Sequence, residues 1–125
     1  MKDKQLNFCS IFIDFDGTII HQANNMQWKL DMKAAPCPGT INKLNEWYSA
    51  GHKIFITTAR TLEDLDKMTK WLSKHKVKYT RLILNCGCGP RYIINDNDPE
   101  LQINKAVAVC ITRNSGLENV ALSHD

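Results

Sequence analysis

Between Ser10 and Ile19 the chain reads S-I-F-I-D-F-D-G-T-I, an apolar run that ends in two aspartates with one residue between them. A strand alternates its side chains with period two, so Asp14 and Asp16 leave this run on the same side. Two carboxylates aimed at one point repel each other unless a cation or a shared proton relieves them, which predicts a bound hard metal ion or a raised pKa. Gly17 permits a tight exit from the strand, and Thr18 brings a hydroxyl beside the pair. A core strand closed by a D-G-T turn would give the same local pattern, so the assignment depends on what else the chain offers.

The 125 residues suffice for one core, and residues 1–125 read as a single domain with its body at about 10–111. Hydrophobic residues make up 43 % and charged residues 23 %, which is ordinary globular usage, and no apolar run approaches the roughly 18 residues of a membrane span. The start, M-K-D-K-Q-L-N-F, has no apolar segment of the secretory kind, so a soluble, cytoplasmic protein is expected. The formal net charge is +3, with a small lysine concentration at Lys74, Lys76 and Lys78 that reads as a solvated helix end. Five cysteines, an odd number, read as reduced thiols. Cys86 and Cys88 lie too close together for half of a zinc site, and no second pair accompanies them.

Residues 20–38, with His21, Asn24, Asn25, Trp28 and the turn-forming A-A-P-C-P-G, show no sustained period and leave directly from the aspartates, so they are expected to form a flap over the site. Ile41, Leu44, Trp47 and Tyr48 fall at helical spacing over Thr40–Ala50, with Gly51 placed as a C-terminal cap. Lys53–Thr57 reads as a buried strand. A second helix is expected from Thr61, its capping residue, to about His75, with Leu62, Leu65, Met68 and Leu72 inward. Further strands are expected at Tyr79–Leu84, Arg91–Ile94 and Ala106–Ile111. Strands alternating with helices predict an α/β fold with a mostly parallel five-stranded sheet, and such sheets bind ligands beyond the carboxyl ends of their strands.

The run D-F-D-G-T resembles the first motif of the haloacid dehalogenase superfamily, in which D-x-D-G-T ends the first strand of a three-layer Rossmann-like sheet. About forty residues on, Thr58-Ala59-Arg60 resembles the second motif, a Thr that hydrogen-bonds the phosphoryl group. Asn95-Asp96-Asn97-Asp98 is similar to the fourth motif, an acidic pair that supplies metal ligands, with Asn95 standing where an acid is usual. The basic residue of the third motif is missing, and in that gap Arg91 alone is basic. The room between Ile20 and Pro38 fits a short flap and no full cap domain.

The resemblance implies a Mg²⁺-dependent phosphatase acting on a phosphate monoester through an aspartyl-phosphate. Asp14 would be the nucleophile, Asp16 the general acid and base, and Arg91 or Arg60 the neutralising charge. Gly17, Thr18, Thr58 and Arg60 would hold the phosphoryl group. Mg²⁺ would sit on Asp14, Asp96 and the backbone carbonyl of Asp16, with Asn95 or Asp98 completing the set. A phosphorylated sugar or nucleotide is the implied substrate, and a nucleic-acid 3′-phosphate end is the alternative that an uncapped site admits. A catalytically weak binding or regulatory relative is the reading that Asn95 and the missing Lys favour. A receiver-type phosphoacceptor would carry its acidic pair on the first strand and its phosphorylated Asp on the third, whereas here the third expected strand ends in Asn85.

Overall fold

The computed structural model describes residues 8–23 and 29–122. Three parallel strands, β1 (Ser10–Asp14), β2 (Lys53–Thr57) and β3 (Arg81–Ile83), lie in the order β1-β2-β3. The register pairs Asp14 with Thr57 and Thr57 with Ile83, so the carboxyl ends of all three strands form one edge. The connections run through helix α1 (Thr40–Ser49) and helix α2 (Leu65–Lys74). Two right-handed crossovers moving the same way across a sheet place both helices over the same face.

That face is apolar by alternation. Ile13, Ile54 and Ile56 are buried against Leu44 and Trp47 of α1 and Met68, Trp71 and Leu72 of α2. Trp71, which lay outside the expected apolar stripe, is fully buried, stands edge-on to Phe15 at 5.7 Å and donates its indole N–H to the Ala34 carbonyl. It thereby ties α2 to the segment leaving the aspartate loop. On the other face Phe12 stacks on Phe55 at 5.1 Å and stays half exposed. Among the described residues the two helices thus cover one face of the parallel sheet, within the α/β fold expected.

The ends of α1 follow the sequence. Gly51 takes φ 104°, and the His52 N–H reaches back to the Trp47 carbonyl, the six-to-one closure a helix-ending glycine allows. Thr61 departs from expectation, since its side chain makes no capping bond and a 3₁₀ turn (Leu62–Asp64) precedes α2, with Leu62 exposed. Asp64, three residues after Thr61, pairs with Arg60 four residues earlier.

The fourth and fifth expected strands are absent from the described sheet. Residues 91–94 and 106–111 have no regular structure, and Tyr92 and Ile94 are 86 % and 95 % exposed. Between them a two-residue-wide antiparallel hairpin, β4 (Asn97–Asp98) and β5 (Ile103–Asn104), has formed. Apolar content states what a segment can bury and not which edge it will find. Here the polar turn between the two segments satisfies itself locally: Asp98 Oδ1 accepts from the Glu100 and Leu101 N–H groups.

Candidate active site

β1 ends at Asp14, and the chain then turns sharply. The Ile19 and Ile20 N–H groups return to the Phe15 carbonyl, and Gly17 takes φ 81°, which its lack of a Cβ allows. The turn is held from below by the buried Thr40 at the start of α1, whose hydroxyl donates to the Thr18 carbonyl at 3.2 Å. Asp14, Asp16, Gly17 and Thr18 then line an open cavity of about 340 Å³ together with Gln22, Ile111 and Arg113. A second, smaller space of about 80 Å³ lies beyond Asp16 and Arg60, under residues 20–23, 29–31 and 34.

The two carboxylates have unlike surroundings. Asp16 is clamped: Arg60 Nε donates to its Oδ2 and Arg60 Nη2 to its Oδ1, both at 2.8 Å, while Nη1 reaches Asp64 at 3.3 Å. The side chains of Arg60 and Asp16 are 9 % and 27 % exposed, so the pair is largely shielded from water. Burial alone would lower the Arg60 pKa, but the bonds and charges of Asp16 and Asp64 outweigh it and raise it. Among the described residues Asp14 has no such partner. Its side chain reaches solvent, yet desolvation by the surrounding chain lifts its pKa above the ordinary 3.8. The Phe15 N–H pulls the other way, Asp16 adds to the rise, and the charge of Arg91 opposes it.

The flap forms as expected where it is described. The His21 N–H donates to Ala35 and the Cys37 N–H to Ile19, both at 2.8 Å, and Ile20 bridges Pro36. Its expected residues Asn24, Asn25 and Trp28 lie outside the described residues.

Thr58 stands at the end of β2 and is buried, but its hydroxyl accepts the Arg60 N–H at 3.1 Å and lines neither cavity. In this arrangement it shapes the turn that aims Arg60. Arg91 acts on Asp14 through charge, while its Nη1 donates to the Gly87 and Gly89 carbonyls.

The expected metal ligand Asp96 does not join the site. Its carboxylate pairs with Lys105 at 2.8 Å on the exposed β4–β5 hairpin, and that bond, with the charge behind it, holds its pKa down. Asn95 accepts the Asp96 N–H, and Asp98 closes the turn. The Asn/Asp-rich run is spent on its own backbone and on Lys105. Among the described residues no three His, Cys, Asp or Glu side chains stand close enough to hold a metal ion. With Asp96 bound to Lys105 on the hairpin, the set expected for Mg²⁺, Asp14 with Asp96 and the Asp16 backbone carbonyl, is not assembled.

Two neighbours escaped the sequence reading. Arg113 lines the large cavity, and Asn114 locks the loop: its N–H donates to the Gly17 carbonyl at 2.7 Å, and its side-chain amide exchanges two 2.8 Å bonds with the Gln22 backbone. The signal was available, because residues just past an expected strand belong at the ligand-binding edge.

A parallel α/β sheet with D-F-D-G-T at the carboxyl end of its first strand points to the class of hydrolases that carry this motif. The chain belongs to the haloacid dehalogenase-like hydrolases, whose family model matches residues 11–88. Comparison with curated proteins gives no match. Among solved structures, a crystal structure of a protein from Vibrio cholerae is similar at 24 % identity and TM-score 0.52, covering 78 % of this chain and 90 % of that one. A chain of the Pnkp1/Rnl/Hen1 complex is similar at 15 % identity and TM-score 0.56, over 67 % of this chain and 30 % of that chain. Both likenesses concern the fold. No helix among the described residues is long and apolar enough to cross a membrane.

Proposed function

We propose that this protein hydrolyses phosphate monoesters, with Asp14 as the nucleophile. The observation that carries the reading is the asymmetry of the two carboxylates: Asp16 is engaged on both oxygens by Arg60, whereas Asp14 faces the cavity without a cation bound to it. An Oδ of Asp14 attacks phosphorus, the bond from phosphorus to the ester oxygen breaks, and an aspartyl-phosphate forms. Water then attacks the same phosphorus, breaks its bond to Asp14 and releases phosphate. While Arg60 holds Asp16, neither Asp16 oxygen offers a proton to the departing oxygen. The first step in this arrangement favours esters whose leaving oxygen departs as a stable anion.

The family's Mg²⁺ would be held by Asp14 and the Asp16 backbone carbonyl after a rearrangement that brings an acid such as Asp96 to the cavity. The cavity volume suits a small phosphorylated substrate, a sugar phosphate or nucleotide.

The test is release of p-nitrophenol from p-nitrophenyl phosphate by wild type and Asp14→Asn, each with added Mg²⁺ and with EDTA. Turnover that Asp14→Asn abolishes while leaving the fold intact supports the reading. Equal turnover in both proteins, or none in wild type under either condition, refutes it.

A further inference from the structure

A phosphate monoester entering the large cavity carries up to two negative charges and meets two aspartates, so it needs cations or N–H donors that are not committed elsewhere. The partners already in place eliminate most candidates. Arg60 is engaged by Asp16 and Asp64. Arg91 turns its Nη1 into its own loop and does not line the cavity. The Gly17 N–H is used by the Ile20 carbonyl and the Thr18 N–H by the Phe15 carbonyl, so these two amides are taken up within the turn. Among the described residues Arg113 has neither a hydrogen bond nor an ion pair, and it stands in the cavity wall beside Asp14 and Asp16.

We infer that Arg113 is the phosphate-binding cation of this site, its guanidinium fork taking two oxygens of the phosphoryl group that Asp14 attacks. The inference rests on reading the protein as a phosphate monoester hydrolase. A planar guanidinium matches two phosphate oxygens at once, which an ammonium does not.

The backbone that carries Arg113 is fixed on both sides. Asn114, at φ 67°, bonds the Gly17 carbonyl and the Gln22 backbone, which spans the turn and the flap. Ser115 closes the preceding turn on the Thr112 carbonyl through both its N–H and its hydroxyl. Leu117 donates to Pro38, and Gly116 lies so close to Pro38 that a side chain there would collide with the Pro38 carbonyl. The Arg113 stem itself lies across Gly17, its Cγ 3.0 Å from where a Cβ of residue 17 would stand. The backbone that carries the guanidinium is thus held in place before an anion arrives.

The experiment measures inorganic phosphate binding by calorimetry, and p-nitrophenyl phosphate kinetics, for wild type, Arg113→Gln and Arg113→Lys. Arg113→Gln weakens phosphate by about ten-fold or more and raises KM by a similar factor, and Arg113→Lys recovers part of both because it returns the charge without the fork. Should Arg113→Gln fail to fold, the lysine variant decides, by an affinity below that of wild type. Unchanged phosphate affinity and KM in the folded variants overturn the inference, as does a wild type that binds no phosphate. A wild type that binds phosphate through Arg113 but turns nothing over upholds the inference as an anion site and refutes the hydrolase reading. Normal turnover with an unchanged KM in Arg113→Gln does the reverse.

Discussion

The Arg60–Asp16 clamp can be weighed by a double-mutant cycle with Arg60→Met and Asp16→Asn. Methionine keeps most of the apolar stem of Arg60, and asparagine keeps the shape of Asp16, so each change removes charge and fork geometry more than packing. Two hydrogen bonds of 2.8 Å to a charged partner would be worth about 3–6 kcal/mol together if fully shielded. Exposed pairs yield about 1 kcal/mol or less, and breaking a buried one costs about 3–5 kcal/mol. With Asp16 27 % and Arg60 9 % exposed, the coupling energy should fall between these limits, at about 2 kcal/mol. Unfolding entropy of about 2.1 cal/mol/K per residue over the chain turns 2 kcal/mol into a Tm shift of about 8 °C. Urea unfolding at neutral pH, fitted with a common m-value for the four proteins, gives the coupling directly. A coupling below about 0.5 kcal/mol, the ordinary error of additivity, would refute the clamp and free Asp16 to serve as the acid in the first step.

Other expectations follow from the same geometry. Because desolvation raises the Asp14 pKa, the acid limb of kcat/KM should lie above 3.8, and Arg91→Gln should move it higher by removing an opposing charge; a limb at or below 3.8 in wild type contradicts the assignment. The same shift affects stability: the folded state holds the Asp14 proton more tightly than the unfolded chain, so this group's contribution falls as pH rises from 3.8 through the raised folded value. Asp14→Asn should remove that slope from a pH series of denaturation curves. Arg60-clamped Asp16 predicts a steep leaving-group dependence, with p-nitrophenyl phosphate cleaved far faster than an alkyl phosphate, and equal rates would show that Asp16 donates a proton. Trp71→Ala should cost about 3–5 kcal/mol, since the indole is fully buried and its N–H holds Ala34, measurable as a lowered urea midpoint.

Period and punctuation made the first two-thirds of the chain legible. The alternation I-F-I-D and K-I-F-I-T put Ile13, Ile54 and Ile56 on one face, and Gly51 ended α1 where a residue of positive φ was needed. The C-terminal third was less legible, because its signals were compositional. Tyr92, Ile93 and Ile94 are apolar enough for a strand, but neither their number nor their order specifies a partner edge, and in the structure they find none. The N-D-N-D run had two available uses, ligation and turn closure, and the turn won through bonds from Asp98 to the Glu100 and Leu101 N–H groups and from Asp96 to Lys105, a residue nine positions away.

The same limit explains the distribution of charge in the site. Spacing alone made Asp14 and Asp16 equivalent, two acids on one side of a strand, and the difference between them comes from a residue on another strand. Thr58 bonds the Arg60 N–H, which fixes the turn after β2, and the parallel register that pairs Asp14 with Thr57 brings that turn level with the aspartates. Arg60 is thereby placed to reach the second aspartate. An arginine three residues past a strand end is common in any sequence, and its meaning depends on which strand end lies beside it. One aspartate is consequently held by a guanidinium and the other faces the cavity, so that in the proposed reaction the nucleophile need not be freed before it attacks. On the same proposal the arginine that balances the incoming phosphate comes from a third place, the strap at residues 112–117, which is tied to the aspartate loop by bonds to Gly17, Gln22 and Pro38.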